Sequence, residues 1–296
     1  MTDIFVVGSI NTDFVISAPY MPVGGETLTG SGFLTAKGGK GANQAVAACR
    51  LGGNVTMCAC VGDDLFGKET LKAFKEEGID ITHIRVVEGV ATGTAIIVVT
   101  DGENRIILDK GANACLTKED IDEFLAKAKE GDIYLTQLEN PIDVIGYGLK
   151  KAKEKGMYVV LNPAPASVEI KPYLCYCDLI TPNETELDIL GGKEEILNNT
   201  NAKLLVTLGG KGYSIQTKDG ENTYPCIKVK AVDTTAAGDT LSGGLCAKLS
   251  QGERLEVAAA FGSKAASIAC TRKGAQPSIP NEKEVEQYCS QWNNQK

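Results

Sequence analysis

The sequence of 296 residues contains a single histidine, His83. It lies in a strand-like run, residues 81–86, and a lone imidazole in such a run is usually structural. One histidine cannot form a metal site built from several imidazoles, and its isolation argues against Ser-His-Asp hydrolysis. The sequence therefore argues against both of these kinds of catalytic site.

Cysteines are more numerous, but their spacing does not indicate a metal centre. The chain has ten of them and no Cys-x-x-Cys pair. The two close pairs, Cys58/Cys60 and Cys175/Cys177, lie in apolar runs without a neighbouring histidine or cysteine to complete a zinc site. We predict that all ten are reduced cytosolic thiols that mostly act as packing groups.

Long apolar runs and basic clusters are also missing. No apolar stretch approaches about 18 residues, and the first residues lead into an apolar strand without the basic start of a signal peptide. The net charge of −8 argues against binding to nucleic acid or anionic membranes. We expect a cytoplasmic protein that binds neither, in which backbone amides and a few side chains hold any anionic ligand.

The chain does contain a repeated alternation of short apolar strands and helical patterns. This alternation predicts an α/β fold with a mostly parallel sheet and helices on both of its faces. The length is compatible with two domains or with one, and 43% apolar residues suffice for a large core. Strands are predicted at 4–8, 132–137, 157–161, 179–181, 203–208, 212–217 and 222–230, and the last helices at 254–271 and 282–291.

Two blocks of sequence do not fit this alternation. Residues 14–37 combine short apolar segments with proline and paired glycines, which suggests strands and turns. Residues 94–100 and 105–109 flank Asp101-Gly102-Glu103-Asn104, which is a strong hairpin signal. We predict that these blocks form a small β-sheet that stands off the main domain and acts as a lid.

The stretch at residues 231–240 points to phosphate chemistry. Small residues, Ala236-Ala237-Gly238, open a helical pattern, and the first amides of a helix form an anion site because they lack intrahelical partners. Asp239 would repel an anion there unless it accepts a proton from the group that attacks that anion. An anion site with one carboxylate is the minimum for phosphoryl transfer to a hydroxyl. On this stretch alone, Asp239 is equally compatible with an ordinary first-turn acid.

Several polar side chains follow predicted strands, where ligands of open α/β sheets collect. Asn11 and Asp13 follow the first strand, although an Asx turn would explain them as well. Glu139 follows a later strand. Asn183 and Glu186 lie at a helix start, where capping explains Asn183 but does not require Glu186.

Glycine-rich loops supply further candidates. Residues 38–43 could be a hinge that contacts a ligand or a plain helix entrance, and residues 209–212 have a backbone able to lie against a nucleotide. Residues 62–68 match the first seven positions of a P-loop, but Glu69 stands where Ser or Thr should hold magnesium. We therefore interpret Asp63 and Asp64 as helix caps and not as part of a phosphate loop.

Taken together and in order, these motifs resemble the phosphofructokinase-B-like, or ribokinase-like, family of carbohydrate kinases over nearly the whole chain. Each motif alone is weak, whereas the set is highly specific and makes Asp239 far more than a first-turn acid. The residues that carry the resemblance are 8–13, 38–45, 161–166, 181–186, 233–239 and 271–278.

The resemblance implies a single domain over residues 1–296 with a ribokinase-like three-layer sandwich and a mostly parallel central sheet. It implies a lid formed by about 14–37 and 94–109, and a homodimer whose lid sheets interlock. The implied reaction is ATP-dependent phosphorylation of D-ribose at O5, with Mg²⁺ and K⁺ as cofactors. The alternatives are a kinase for deoxyribose, a nucleoside or another sugar, and a sugar-binding regulator that has lost catalysis.

The resemblance also implies residue roles at matching positions. Asp239 would be the general base for the sugar's primary hydroxyl. The anion hole would be formed by the amides of Ala236, Ala237, Gly238 and Asp239. Sugar hydroxyls would be held by Asn11, Asp13, Gly39, Lys40, Asn43 and Glu139. Mg²⁺ and the ATP phosphates would be organised by Asn183 and Glu186. The nucleotide would be lined by Thr207, Gly209, Gly210, Lys211, Gly212, Gly238 and Ser263. K⁺ would be bound, mainly through backbone oxygens, by Asp233, Thr235, Ala269, Arg272, Gly274 and Ser278.

The sequence departs from the family pattern at three places. Position 236 is Ala where many members have Gly, which should constrain the loop slightly. Ser263 stands where Asn or His is expected near the adenine. The segment 191–202 is shorter than usual, which should trim a peripheral helix and leave the site unchanged.

Overall fold

The computed structural model describes residues 1–101 and 103–293, which form helices on both sides of a large sheet and a smaller second sheet. The strands are β1 (Ile4–Val7), β2 (Asn11–Ser17), β3 (Ser31–Gly38), β4 (Val55–Gly62), β5 (Asp80–Val87), β6 (Gly93–Thr100), β7 (Glu103–Asp109), β8 (Ile133–Thr136), β9 (Tyr158–Leu161), β10 (Leu179–Ile180), β11 (Lys203–Thr207), β12 (Tyr213–Thr217) and β13 (Gly220–Tyr224). The helices are α1 (Lys40–Arg50), α2 (Leu65–Glu77), α3 (Lys118–Leu125), α4 (Ile142–Glu154), α5 (Glu184–Ile189), α6 (Gly192–Asn199), α7 (Ala237–Ser250), α8 (Leu255–Ala269) and α9 (Glu282–Asn293).

The large sheet is mostly parallel. In the described residues it has nine strands in the order β13-β12-β11-β10-β9-β8-β1-β4-β5, and only the pairings of β12 are antiparallel. Apolar strands of four or five residues, such as β1 and β8, are buried on both faces, as parallel strands require. The predicted α/β fold with a mostly parallel sheet is confirmed.

Each face of this sheet carries its own apolar core. Alternate residues of β1 point to opposite faces, so Ile4 packs with residues from α1, α2, α7, α8 and α9, whereas Phe5 packs with residues from α3, α4 and α6. Burial of these two side chains is nearly complete, at 0% and 5% exposure. The helices thus form two outer layers around the sheet.

The second sheet is the predicted lid sheet. Its strand order is β3-β2-β6-β7, with β2 and β6 parallel and the outer pairs antiparallel. Both sequence blocks that break the α/β alternation therefore meet in one sheet. Of the predicted turn between β6 and β7, Gly102 lies outside the described residues.

The sequence prediction was wrong about residues 225–230. The antiparallel strand extends only to Tyr224, and the following residues form neither strand nor helix. Pro225 has no N–H to donate to a ladder, and the segment beyond it turns towards α8, where Cys226 and Val229 line a cavity. Apolar alternation there reflects contact with a cavity wall.

Of the two predicted caps of α2, the structure shows Asp64, whereas Asp63 is exposed and precedes the cap position. Asp64 caps α2 by accepting a hydrogen bond from the Gly67 amide at 2.8 Å, which is inconsistent with a phosphate loop at this place. The nine cysteines whose side chains are described are free thiols, and the side chain of Cys289 lies outside that description. Within 1–101 and 103–293, no helix is long and apolar enough to cross a membrane.

Candidate active site

The glycine loop before α1 brings the backbone of three segments together. Gly39 has φ of 90°, and a Cβ at this position would lie 2.7 Å from the Asn11 nitrogen. A Cβ at Gly41 would lie 2.5 Å from the Gly8 carbonyl carbon. Because both positions lack side chains, α1 begins directly against the end of β1.

Glu139 is anchored at this crossing by two donors. Its Oε2 accepts hydrogen bonds from the Ser9 hydroxyl at 2.5 Å and from the Lys40 amide at 3.0 Å. Glu139 follows β8, as predicted, and it lines a cavity of about 310 Å³ between the main body and lid strand β7. Asn11 and Leu108 line the same cavity. Of the six residues predicted to hold sugar hydroxyls, Asn11 and Glu139 thus line this cavity, whereas Lys40 lines a different cleft described below.

Asn11 is oriented by a residue that the sequence analysis missed. The Asn113 side chain donates to Asn11 Oδ1 at 2.7 Å, and it also accepts from the Ile10 amide and donates to the Ile10 carbonyl. Asn11 Oδ1 is thus occupied, and Asn11 lines the cavity. Asn113 lies in a short 3₁₀ turn after the lid strands, where no sequence pattern distinguishes it from a surface asparagine.

Asp13 lies close to the glycine loop in a buried position. A Cβ at Gly38 would lie 2.3 Å from Asp13 Oδ2, so only glycine fits beside this carboxylate. Burial, and secondarily the negative charge of Glu139, raise the pKa of Asp13 to about 6. Hydroxyl donors of a bound sugar would stabilise the ionised form of this carboxylate.

Asp239 is also buried, and amides hold both of its carboxylate oxygens. Asn43 Nδ2 donates to Oδ2 at 3.0 Å, and Gln44 Nε2 donates to Oδ1 at 2.9 Å. Burial raises the pKa of Asp239, while the Lys40 charge and the two amide donors act in the opposite direction. The sequence analysis assigned Asp239 and Asn43 but gave no role to Gln44.

The first turn of α7 has the geometry of an anion site. Ala236 adopts the left-handed conformation with φ of 60°, which explains why family members often have Gly there. In the described part of the chain no side chain caps this helix. The Ala237 amide donates to the Thr234 carbonyl at 3.2 Å, whereas the amides of Gly238 and Asp239 occupy first-turn positions that lack an intrahelical acceptor.

A cleft of about 210 Å³ opens at this helix terminus. Lys40 lines it from α1 and supplies a positive charge opposite the helix N-terminus. Asn183 and Glu186 line it from the start of α5. The cleft therefore brings together the start of α7, Asn183 and Glu186, all of which were predicted to lie near the phosphates. It also contains Lys40, which was predicted to hold a sugar hydroxyl.

Glu186 has a structural role that the sequence analysis did not anticipate. It completes a capping box, because its carboxylate accepts from the Asn183 amide at 2.8 Å while Asn183 Oδ1 accepts from the Glu186 amide. The expectation that capping would explain Asn183 alone was wrong. Burial nevertheless raises the pKa of Glu186, and its second oxygen remains available to the cleft.

A second, mostly apolar cavity of about 290 Å³ adjoins this cleft. Both volumes share wall residues, including Thr207, Ala237 and Gly238. The predicted nucleotide residues Gly209, Gly210, Gly212 and Ser263 line it together with Cys226 and Cys270. Lys211, in contrast, is exposed at the surface beside the cavity. A polar cleft joined to an apolar pocket suits a nucleotide, with phosphates in the first and base in the second.

The residues predicted for a monovalent cation lie on two loops that Asp233 joins. Its carboxylate accepts from the amide and hydroxyl of Thr235 at 2.9 and 2.6 Å, and from the Gly274 amide at 2.9 Å. The side chain of Arg272 is directed to Glu284. The Ala269 carbonyl accepts from the Arg272 amide, and the Ser278 hydroxyl donates to the Ala275 carbonyl. Among the described residues, no group of three or more His, Cys, Asp or Glu side chains could hold a metal ion.

Comparison with known proteins identifies the class of enzyme. The model of the pfkB family carbohydrate kinases matches residues 1–282. A ribokinase of Haemophilus influenzae is 43% identical over 96% of this chain and 97% of its own length. A deoxyribokinase of Salmonella typhi is 37% identical over 97% of this chain and 99% of its own length.

A solved structure agrees with these relatives. Arabidopsis thaliana ribokinase, complexed with ribose and ATP, superposes with a TM-score of 0.85 at 29% identity and covers 97% of this chain and 98% of that one. The chain belongs to the pfkB family of carbohydrate kinases, which makes it a sugar phosphotransferase.

The burial of Asp13 generates a prediction about stability. Because its folded-state pKa is raised above 3.8, the stability from proton binding is present near pH 3.8 and is lost as the pH rises through about 6. We expect Asp13→Asn to be more stable than the wild type at about pH 8, by at most about 3 kcal/mol, with a smaller difference at about pH 5. Urea unfolding at both pH values measures this, with the exposed Asp63→Asn as control. An equal difference at the two pH values would contradict the prediction.

Proposed function

We propose that this protein transfers the γ-phosphoryl group of ATP to O5 of D-ribose, forming D-ribose 5-phosphate and ADP. The observation that carries the proposal is the position of Asp239. Its carboxylate bonds to α1 beside the sugar-side residues, while its own amide belongs to the first turn of α7 at the anion cleft. One residue therefore links α1 to the first turn of α7 at the cleft.

In the proposed reaction, the ribose O5 hydroxyl approaches Asp239. Its carboxylate takes the hydroxyl proton as O5 attacks the phosphorus atom and ADP leaves. The amides of Gly238 and Asp239 and the Lys40 ammonium stabilise the charge on the phosphoryl oxygens. The amide of Ala237 would join them when its bond to the Thr234 carbonyl opens. Asn43 Oδ1 is buried without a partner in the described part of the chain, which suits it to accept from a sugar hydroxyl.

The choice of ribose over deoxyribose is the finer part of this proposal. Both ribokinases and deoxyribokinases are similar to the chain, and ribokinase has the higher identity of the two relatives described above. The Arabidopsis ribokinase structure contains ribose and ATP, which supports these as ligands here. Asn11, Asp13 and Asn43 supply enough polar atoms for several hydroxyls, and one such contact is worth about 1–3 kcal/mol in discrimination.

A sugar-binding regulator without catalysis is the alternative from another class. A regulator would need the sugar cavity but would not need a buried carboxylate in the cleft at an uncapped helix N-terminus. Asp239 is such a carboxylate, and both of its oxygens accept hydrogen bonds from amides. This geometry favours the enzyme.

The enzymatic proposal predicts that Asp239→Asn retains binding but loses turnover. We expect kcat to fall by about 10²–10⁴-fold, because the proton acceptor is removed, while ATP still binds. ADP release is measured with ribose, deoxyribose, fructose, adenosine and no acceptor. Ribose-dependent turnover by the wild type, lost in the variant, is the expected result. Normal turnover by Asp239→Asn would refute the base role, and a higher kcat/KM for another acceptor would refute the choice of ribose.

We propose Mg²⁺ and K⁺ as the cations of this reaction. Asn183 and Glu186 present oxygen atoms to the phosphate cleft, which suits Mg²⁺ held partly through water, and Mg²⁺ would neutralise phosphate charge. Asp233 joins the segment before α7 to the segment at Gly274, and the backbone oxygens of these two segments would suit a hard monovalent cation. A cation there would hold the 233–236 turn in the conformation that opens the anion site.

The cation proposal predicts that K⁺ raises turnover in the wild type above the level in Na⁺ or a bulky organic cation. Asp233→Asn should weaken this activation, because it loosens the joint between the loops, and Asp63→Asn should leave it unchanged. Steady-state rates at constant ionic strength measure the effect. Equal rates in all three salts would argue against the site.

We also propose that the whole chain forms one domain and that two copies pair through their lid sheets. Ile106, Ile107 and Leu108 are consecutive on β7 and are all more than half exposed. Alternate side chains of a strand point to opposite faces, so Ile107 points away from the sugar cavity that Leu108 lines. Phe33 adds further exposed apolar area on β3, the opposite edge strand of this sheet.

The pairing proposal predicts that Ile107→Glu is monomeric. A charge in an apolar contact between lids would be desolvated without a partner, so we expect a loss of the dimer in sedimentation or light scattering at micromolar concentration. Val257→Glu places the same change on the exposed surface of α8 and should leave the mass unchanged. A monomeric mass for the wild type would reject the dimer.

A further inference from the structure

Two buried glutamines form a chain of donors that ends on Asp239. Gln137 Nε2 donates to Gln44 Oε1 at 2.7 Å, and Gln44 Nε2 donates to Asp239 Oδ1 at 2.9 Å. Gln44 and Gln137 are 0% and 1% exposed. Three separate parts of the fold supply the chain, namely the end of β8, the first turns of α1 and the first turn of α7.

The direction of this chain is set by chemistry. An ionised carboxylate only accepts hydrogen bonds, so the Gln44 amide must present its nitrogen to Asp239 and its oxygen to the other side. Gln137 donates to that oxygen and holds the Gln44 amide in this orientation. Without Gln137, the Gln44 amide could rotate and turn its oxygen towards the carboxylate, which would be repulsive.

Among the described residues, neither glutamine lines the cavity beside Glu139 or the cleft at the start of α7. Gln137 Oε1 is buried without a hydrogen-bond partner in the described part of the chain, so an apolar residue would pack at this position with a lower desolvation penalty. The two glutamines therefore act on the site through Asp239.

We propose that Gln44 is a positioning residue for the catalytic base, and that Gln137 fixes the Gln44 amide in the orientation that this task requires. The proposal deepens the proposed function, because it depends on Asp239 being the base. Gln44 holds one carboxylate oxygen while Asn43 holds the other, so the carboxylate plane is fixed and the remaining lone pairs face the O5 hydroxyl. Hydrogen bonds in series strengthen one another, so Gln137 also contributes to the strength of the contact with Asp239.

Other charged side chains near Asp239 also influence the pKa of its carboxylate. Lys40 lies on the same side of α1, and the carboxylates of Glu139 and Glu186 interact with Asp239 across the site. None of these is altered by substitution of either glutamine. Because the Gln44 hydrogen bond lowers the pKa of Asp239, its loss should raise that pKa. The acid limb of the pH profile of kcat should then move to higher pH.

The test compares Gln44→Met, Gln137→Met and the control Gln216→Met. Methionine keeps the length of the side chain and removes the amide. Gln216 is likewise buried, but its amide bonds Ser214 on β12, far along the sheet from Asp239. We expect kcat of Gln44→Met to fall by about 10-fold or more with little change in KM for ribose, a smaller fall for Gln137→Met, and none for Gln216→Met. The acid limb should move to higher pH in the first two variants only.

A double-variant cycle separates this inference from the proposed function. If Gln44 acts through Asp239, Gln44→Met should cause no further loss of rate in an Asp239→Asn background. A further loss of similar size there would show a general structural effect and would overturn the inference. Unchanged kcat and pH profile in a folded Gln44→Met variant would also overturn it, while the loss in Asp239→Asn would leave the base role intact. Thermal unfolding of each variant confirms that the compared proteins are folded.

Discussion

The close approach of α1 and α7 is the constraint on which the rest of the site depends. A Cβ at Gly243 would lie 2.5 Å from the Ala47 Cβ and 2.7 Å from the Gln44 carbonyl oxygen, so only glycine allows this crossing. A Cβ at Gly262 would similarly lie 2.5 Å from the Leu241 carbonyl oxygen, where α8 meets α7. Because the helices pack at this distance, a carboxylate on α7 reaches two amides on α1. A larger residue at the crossing would separate Asp239 from the amides of Asn43 and Gln44.

Burial of acidic groups gives the site its electrostatic character. Asp13, Glu186 and Asp239 all have a raised pKa, and desolvation is the main cause in each case. An acidic site that receives an anionic phosphoryl group needs opposing positive potential. Lys40 and the uncapped start of α7 provide it, since the helix dipole and free amides act at short range and in a partly water-excluded cleft. The overall negative charge of the protein therefore does not prevent local recognition of phosphate.

The sugar side of the site lies at the junction between the two sheets. Asn11 and Asp13 are the first residues of lid strand β2, only a few residues after the end of β1 in the main sheet. Asn113, which comes after the last lid strand, bonds both Asn11 and the Ile10 backbone. Both the first and the last lid strand are thus connected to the place where Asn11 and Asp13, the side chains proposed to bind sugar hydroxyls, lie. A movement of the lid would therefore displace these side chains directly.

The sequence by itself determined the α/β class, the existence of the lid sheet, and most members of the candidate site, because strand periodicity, glycine-rich turns and strand-end polar residues are local signals. It misjudged residues 225–230, where apolar alternation faces a cavity wall, and it missed the capping role of Glu186. It could not find Asn113, Gln44 or Gln137 as parts of the site. Their roles depend on contacts between residues that are far apart in the sequence. Gln44 and Asp239, for example, are separated by 195 positions. Only the tertiary structure decided those contacts, because hydrogen-bond partners at such separations are selected by helix packing and not by local pattern.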